Sequence, residues 1–222
     1  MDREVLLDRI AAHLAHRRLG HPLRVGIDGP SGVGKTTFAI ELAAAMRAAG
    51  HPVIRIDSDG FHHLRAVRYR QGRASARGYY EDAYDLDAVR DLVLVPLGPG
   101  GSRRYATKVH DLASDAVVRE EADATTDAVV LLDATFLQRG DLREHWDEVL
   151  YLDAPASVAQ ARGVARDAAA LGGTEAAQAA YEQRYSAAFR IYVEEERPAD
   201  RATILVDHRD PRAPVVLRGL AG

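Results

Sequence analysis

The chain has 222 residues, 47% of them hydrophobic and 28% charged, with a formal net charge of −4; this suffices for one well-buried domain and argues against a general binder of nucleic acid or anionic membrane. Cysteine is absent, which excludes disulfides and thiolate metal sites. No run approaches the roughly eighteen apolar residues of a spanning helix, and Met1-Asp2-Arg3-Glu4 lacks the apolar core of a signal peptide, so the expectation is a soluble, cytoplasmic protein.

Leu6, Ile10 and Leu14 recur at helical spacing and predict a packing helix over residues 2–18. Leu23–Asp28 reads as a short apolar strand, followed at once by Gly29-Pro30-Ser31-Gly32-Val33-Gly34-Lys35-Thr36. This is the phosphate-binding pattern G-x-x-x-x-G-K-[ST] in its required place between strand and helix. Its glycines let backbone N–H groups turn around phosphate oxygens, and the helix N-terminus adds partial positive charge. Residues 29–37, Thr37 included, are therefore the candidate nucleotide-binding residues. Lys35 would bridge the β- and γ-phosphates, and the Thr36 hydroxyl would hold Mg²⁺. Composition does not explain the match, because Lys35 and Lys108 are the only lysines among 29 basic residues.

A helix over residues 37–47 is predicted to bury Phe38, Ile40, Leu42, Ala43 and Met46 and to stop at Gly50. Val53–Asp57 is the next strand. Residues 60–84 form a long segment rich in Arg, His and Tyr, residues 86–95 a helix, and residues 98–122 a β-hairpin insertion opened by Gly98-Pro99-Gly100-Gly101. Long excursions in a compact domain are usually functional or disordered. Strands at Val129–Asp133, 149–153 and 203–207 follow, with helices over 156–171 and 175–196. This alternation predicts an α/β fold: a doubly wound parallel sheet of the P-loop NTPase type with helices on both faces, in one domain over 1–222. Asp28, Asp57, Asp133 and Asp153 all fall at the carboxyl ends of strands, where such sheets bind ligands.

Asparagine is absent, so the guanine-reading Asn-Lys-x-Asp element of GTPases cannot be present. From Val25 to Asp207 the chain resembles the uridine kinase and phosphoribulokinase family, most closely a uridine kinase-like group of bacterial proteins. The loop at 29–36 fits the family's Gly-x-Ser-Gly-x-Gly-Lys-Thr, and Ser58-Asp59-Gly60-Phe61-His62 resembles its Asp-x-Phe-Tyr or Asp-x-Phe-His element. The resemblance implies that Asp59 is the general base facing the acceptor hydroxyl, which suits an alcohol, a poor nucleophile. The plainer reading is that Asp59 caps the next turn. Asp133 in Leu131-Leu132-Asp133-Ala134-Thr135-Phe136-Leu137 takes the place of the family's Glu and would pair with Thr36 at the metal, through water because Asp is shorter. Residues 156–196 resemble the family's lid and following helix, with Arg162-Gly163-Val164-Ala165-Arg166-Asp167 as its Arg-x-x-x-Arg-Asp element. Arg162 and Arg166, four apart on one helix face, would close over ATP and stabilise transferring charge. A solvated helix with an Arg–Asp pair is the alternative.

The acceptor side departs from the family pattern. Gly78-Tyr79-Tyr80-Glu81-Asp82-Ala83-Tyr84-Asp85 puts Tyr79 where a ribose-binding Asp stands, and His110-Asp111-Leu112 replaces the hairpin's Tyr-Asp-Phe. The candidate acceptor-side residues are Asp59, Phe61, His62, Tyr79, His110 and Asp111. Arg65, Arg68, Tyr69, Arg70, Arg73 and Arg77 interleave in the neighbouring segment; they suit an anionic or polar small molecule first, a solvated loop second and nucleic acid last. His62 and His63 lack a third ligand and make no metal site. The resemblance implies ATP- and Mg²⁺-dependent phosphoryl transfer to a hydroxyl of a uridine- or cytidine-like nucleoside or another small metabolite, such as pantothenate or a sugar phosphate. The alternative is a nucleotide-binding regulator or accessory ATPase without acceptor chemistry. Association into a homo-oligomer is left open.

Overall fold

In the computed structural model, which describes residues 2–220, helix α1 (Arg3–Ala15) leads into strand β1 (Leu23–Asp28), helix α2 (Lys35–Ala48) and strand β2 (Val53–Asp57). A 3-10 turn (Ser58–Phe61) and short helices α3 (Arg65–Arg68), α4 (Ala76–Asp82) and α5 (Leu86–Val89) follow, the last continuing as a π-helical turn over Arg90–Leu94. Strands β3 (Arg104–Asp111) and β4 (Ala116–Asp123) form the hairpin, then come β5 (Val129–Asp133) and β6 (Glu148–Asp153). Helices α6 (Ala156–Leu171) and α7 (Thr174–Ala180), a π-helical turn at Tyr181–Tyr185, and helices α8 (Ser186–Glu196) and α9 (Pro198–Arg201) precede strands β7 (Ile204–Asp207) and β8 (Val215–Arg218).

Among the described residues the main sheet has six strands in the order β2-β5-β1-β6-β7-β8. All but β8 run parallel, and β8 pairs antiparallel with β7 at the edge. The chain builds outward from β1 to one side through β5 and β2, and to the other through β6 and β7. β1 is thus the switch point, and the loop after it opens into the crevice beyond the strand ends. Alternate residues of the central strands serve two cores. Val25, Ile27, Leu131, Leu150 and Leu152 pack with Leu6, Ile10 and Leu14 of α1 and with Phe38, Leu42 and Met46 of α2. Val130, Leu132, Val149 and Tyr151 point the other way, onto Val89, Val93, Leu97 and Trp146. Two covered faces explain why residues 129–132 of β5 read as an unbroken apolar run. The hairpin is anchored by Tyr105 and Ala106, which enter the second core.

Three sequence expectations are corrected, and one strand lies outside them. Ile40 is 50% exposed, because the face of α2 that meets the sheet runs through Phe38, Ala39, Leu42, Ala43 and Met46 and Ile40 lies off it. The first helix ends at Ala15 rather than near 18, with the His16 N–H closing its last turn on the Ala12 carbonyl. The helix expected over 175–196 is interrupted by the π-helical turn at Tyr181–Tyr185. β8 was unforeseen: its four residues are largely exposed and follow a Pro-broken loop, so no apolar alternation announces it.

Candidate active site

Asp28 ends β1 fully buried, and there it accepts hydrogen bonds from the Gly29 N–H (2.7 Å), the Tyr192 hydroxyl (2.5 Å) and Gln138 Nε2 (3.2 Å). Burial drives its pKa up while these donors oppose the rise. Three donors on one buried carboxylate fix the direction in which the chain leaves the sheet. The loop then turns into α2 at Gly34, whose left-handed backbone leaves the first N–H groups of a 14-residue helix without a side-chain cap, the arrangement that receives phosphate oxygens. Gly32 has φ of +84°, and a Cβ there would run into the Ala159 carbonyl of α6. The phosphate loop and the lid helix therefore touch backbone to backbone.

Lys35 Nζ donates to the carbonyls of Gly29 (2.9 Å) and Pro30 (3.0 Å) and to Thr135 Oγ1 (3.1 Å). Burial lowers its pKa to about 8 against the pull of Asp28 and Asp133. The Thr36 hydroxyl donates to Asp133 Oδ2 at 2.6 Å, and Arg55 Nη2 reaches Asp133 Oδ1 at 3.2 Å. Burial raises the pKa of Asp133, and Thr36 and Arg55 moderate it. Thr36 and Asp133 are hard oxygen donors side by side, a pair that suits Mg²⁺ held together with phosphate oxygens and water. Among the described residues no group of three or more His, Asp or Glu could hold a metal by itself.

Lys35, Thr36, Asp133 and Thr135 line a cleft of about 400 Å³, and Asp59 lines it as well. Its side chain is 65% exposed and sits on the 3-10 turn after β2, where the Asp59 N–H donates to Asp57 Oδ1 at 3.0 Å. Asp57, not Asp59, is thus the cap of that turn, which leaves the Asp59 carboxylate free to face the cleft. His62 Nε2 stands 3.5 Å from Asp59 Oδ1, and its Nδ1 meets the Ala83 carbonyl at 2.8 Å. The hydrogen bond with His62 pulls the Asp59 pKa down, burial opposes, and Arg166 and Arg68 add to the lowering. Asp59 is accordingly ionised at neutral pH. His62 is stacked on Tyr84 with ring centres 4.3 Å apart.

Of the lid arginines only Arg166 lines the cleft. It is gripped by Asp167, Nε to Oδ1 at 2.7 Å and Nη2 to Oδ2 at 2.9 Å, and Asp167 also accepts from the Tyr181 hydroxyl at 2.8 Å. Arg162 turns away and donates to the carbonyls of His208 (3.1 Å) and Arg209 (2.5 Å). Its expected part in closing over the nucleotide is not supported by this arrangement.

The acceptor-side residues divide in the same way. Asp59, His62 and Tyr79 line the cleft. Phe61 does not: it is fully buried in the second core, where it anchors the turn that carries Asp59. His110 is buried with Nε2 3.1 Å from Asp115 Oδ1, and Asp111 is bound by Lys108 (2.7 Å) and by the N–H (2.8 Å) and hydroxyl (2.7 Å) of Ser114. Both stabilise the hairpin instead of facing the cleft.

Several cleft residues escaped sequence reasoning. Thr135 meets Lys35, and Tyr84, Tyr181, Arg184 and Tyr185 also line the cleft, beside Arg68 and Tyr69 of the Arg- and Tyr-rich segment. The Arg184-Tyr185 pair breaks no helical pattern, and only the recurrence of Tyr and Arg on both sides of the cleft would have marked it. His208 supports the loop from beneath: its ring bonds the Val33 carbonyl through Nδ1 (2.8 Å) and meets Arg3 Nη1 through Nε2 (2.9 Å).

The profile of the Phosphoribulokinase / Uridine kinase family matches residues 24–210. No curated protein sequence matches the chain. Among solved structures, a possible uridine kinase from Bacillus stearothermophilus superposes with a TM-score of 0.70 at 24% identity, covering 90% of this chain and 96% of the other. A candidate fructose transport system kinase from Silicibacter sp. TM1040 gives 0.70 at 24% identity, over 90% of this chain and 98% of the other. D-glycerate 3-kinase from Cryptococcus neoformans gives 0.60 at 14% identity, over 97% of this chain and 99% of the other. At these identities the structures share the fold.

Proposed function

The chain belongs to the phosphoribulokinase/uridine kinase family, and from that premise we propose that it transfers the γ-phosphoryl group of ATP to a hydroxyl of a small metabolite of about nucleoside size. The observation that carries this reading is the meeting of two chemistries in one cleft, which is lined both by Lys35 and Thr36 of the phosphate loop and by the ionised Asp59. The loop amides and Lys35 hold the triphosphate. Thr36 and Asp133 would hold Mg²⁺, which when bound neutralises phosphate charge.

Asp59 orients the acceptor hydroxyl and takes its proton as the acceptor oxygen bonds to the γ-phosphorus. The bond from that phosphorus to the bridging oxygen breaks, and ADP carries the electron pair away. Arg166 supplies positive charge beside the transferring group and is kept in place by Asp167 and Tyr181. Most of the acceleration comes from positioning and charge, as phosphoryl transfer requires little covalent work from the protein.

The test is ADP formation from Mg–ATP with a panel of nucleosides, sugars, sugar phosphates and hydroxy acids. Turnover that depends on an acceptor supports the reading. Slow hydrolysis that no acceptor stimulates contradicts it and favours a nucleotide-dependent regulator.

A further inference from the structure

The cleft that contains Asp59 is also lined by two arginines, Arg184 and Arg68, that the protein's own acids compensate poorly. Arg184, on the π-helical turn, lies among three aromatic faces, with its guanidinium carbon 4.9 Å from the ring centre of Tyr79, 5.0 Å from Tyr69 and 5.6 Å from Tyr185. Its Nε is buried without a hydrogen-bond partner, and among the described residues no ion pair forms to it. Arg68, on α3, is only 8% exposed, and its Nε is likewise buried and unpartnered. It approaches one acid, Asp115, at 3.5 Å through Nη2. Both arginines line the cleft that contains Asp59.

The carboxylates of the cleft are already engaged. Asp133 is held by Thr36 and Arg55, Asp167 by Arg166 and Tyr181, and Asp59 faces His62. A partly desolvated guanidinium group with no carboxylate partner, as at Arg184, or with a single one at 3.5 Å, as at Arg68, is costly to maintain. Aromatic faces hold such a group in place, yet their attraction is weaker than that of an oxyanion, which an Arg fork fits in two parallel bonds. Nor is the triphosphate the natural counter-charge. Arg166 bears on both Lys35 and Asp59, whereas Arg68 bears on Asp59 and not on Lys35. The rings around Arg184 belong to α4, the segment joining α3 to α4 and the π-helical turn itself, with none from the phosphate loop.

We propose that Arg184 and Arg68 form an oxyanion subsite, so that the acceptor carries a carboxylate or a phosphate in addition to the hydroxyl that attacks ATP. This rests on the kinase reading above and narrows it. Both guanidinium groups approach the Tyr69 ring, Arg68 at 5.4 Å and Arg184 at 5.0 Å from its centre.

The experiment compares acceptors in pairs: glycerate with glycerol, and fructose 6-phosphate with fructose, with uridine as a neutral nucleoside. An anionic member is expected to exceed its neutral partner by roughly 10- to 100-fold in kcat/KM, and the two pairs separate carboxylate from phosphate. R184Q should remove that advantage through KM while the KM for ATP stays within about twofold. A neutral nucleoside as the best acceptor, or a loss of ATP binding in R184Q with acceptor KM unchanged, overturns the subsite and leaves the kinase reading intact. A direct readout needs no turnover. With the phosphate loop filled by a non-hydrolysable Mg–ATP analogue, inorganic phosphate or acetate is titrated while the arginine Nε–H NMR signals are recorded. A shift of the signal that R184Q or R68Q deletes supports the subsite, and unmoved signals overturn it. If no acceptor is turned over and those signals still shift, the kinase reading fails and the subsite stands.

Discussion

Raising the pH from 7 to 9 should weaken nucleotide binding through a single group. Lys35 donates to two carbonyls and a threonine hydroxyl, and its burial places its pKa at about 8 in the free protein. A triphosphate supplies the counter-charge that the carbonyls lack, so the bound form holds the proton to higher pH. Binding therefore takes up a proton wherever the free lysine has lost one. With a free pKa of about 8, the protonated fraction falls from roughly nine-tenths at pH 7 to about one-tenth at pH 9, which gives close to a tenfold loss of affinity, or about 1.4 kcal/mol. At pH 8 about half a proton should enter per nucleotide bound. Calorimetry with a non-hydrolysable Mg–ATP analogue in buffers of different ionisation enthalpy measures both quantities. Affinity that is level from pH 7 to 9, with heats independent of buffer, would refute the argument that a buried, poorly compensated ammonium awaits the phosphates.

Asp59→Asn keeps the shape of the side chain and removes its basicity. Acceptor-dependent kcat should fall by about 10²- to 10⁴-fold with nucleotide affinity within about twofold; full activity would remove Asp59 from the proton transfer. Gly163→Ala tests the packing of the lid, because a Cβ there meets the ring and hydroxyl of Tyr181, the same hydroxyl that supports Asp167. It should lower stability by about 1–3 kcal/mol and raise the KM for ATP through a displaced Arg166. An unchanged denaturation midpoint would show that the lid accommodates the methyl group freely.

The parts of the fold that could be read in advance are those where local chemistry and tertiary role agree. β1 and β5 are buried throughout, and β5 reads as a run of four apolar residues before Asp133, because both faces are covered. The glycines and Lys35 of the phosphate loop have one compatible use. Asp59 was legible through the resemblance of residues 58–62 to the family's Asp-x-Phe-His element, and it lines the cleft. The acceptor wall was not legible. Phe61 and His110 occur in the right segments, but whether a side chain turns into the cleft or into the core depends on tertiary packing. Arg162 and Arg166 share a helix face in sequence, and the two carbonyls after β7 that capture Arg162 lie more than forty residues away. Arg184 was hidden because the π-helical turn that aims it at Tyr69 and Tyr79 leaves no mark in apolar periodicity.

Phosphorus NMR of a single reaction containing the protein, Mg–ATP and the best acceptor of the panel bears most directly on the central claim. The account predicts that a phosphomonoester signal grows in step with ADP, one for one, and that both vanish together in Asp59→Asn. Inorganic phosphate appearing in place of the ester, at a rate indifferent to the acceptor, would contradict it.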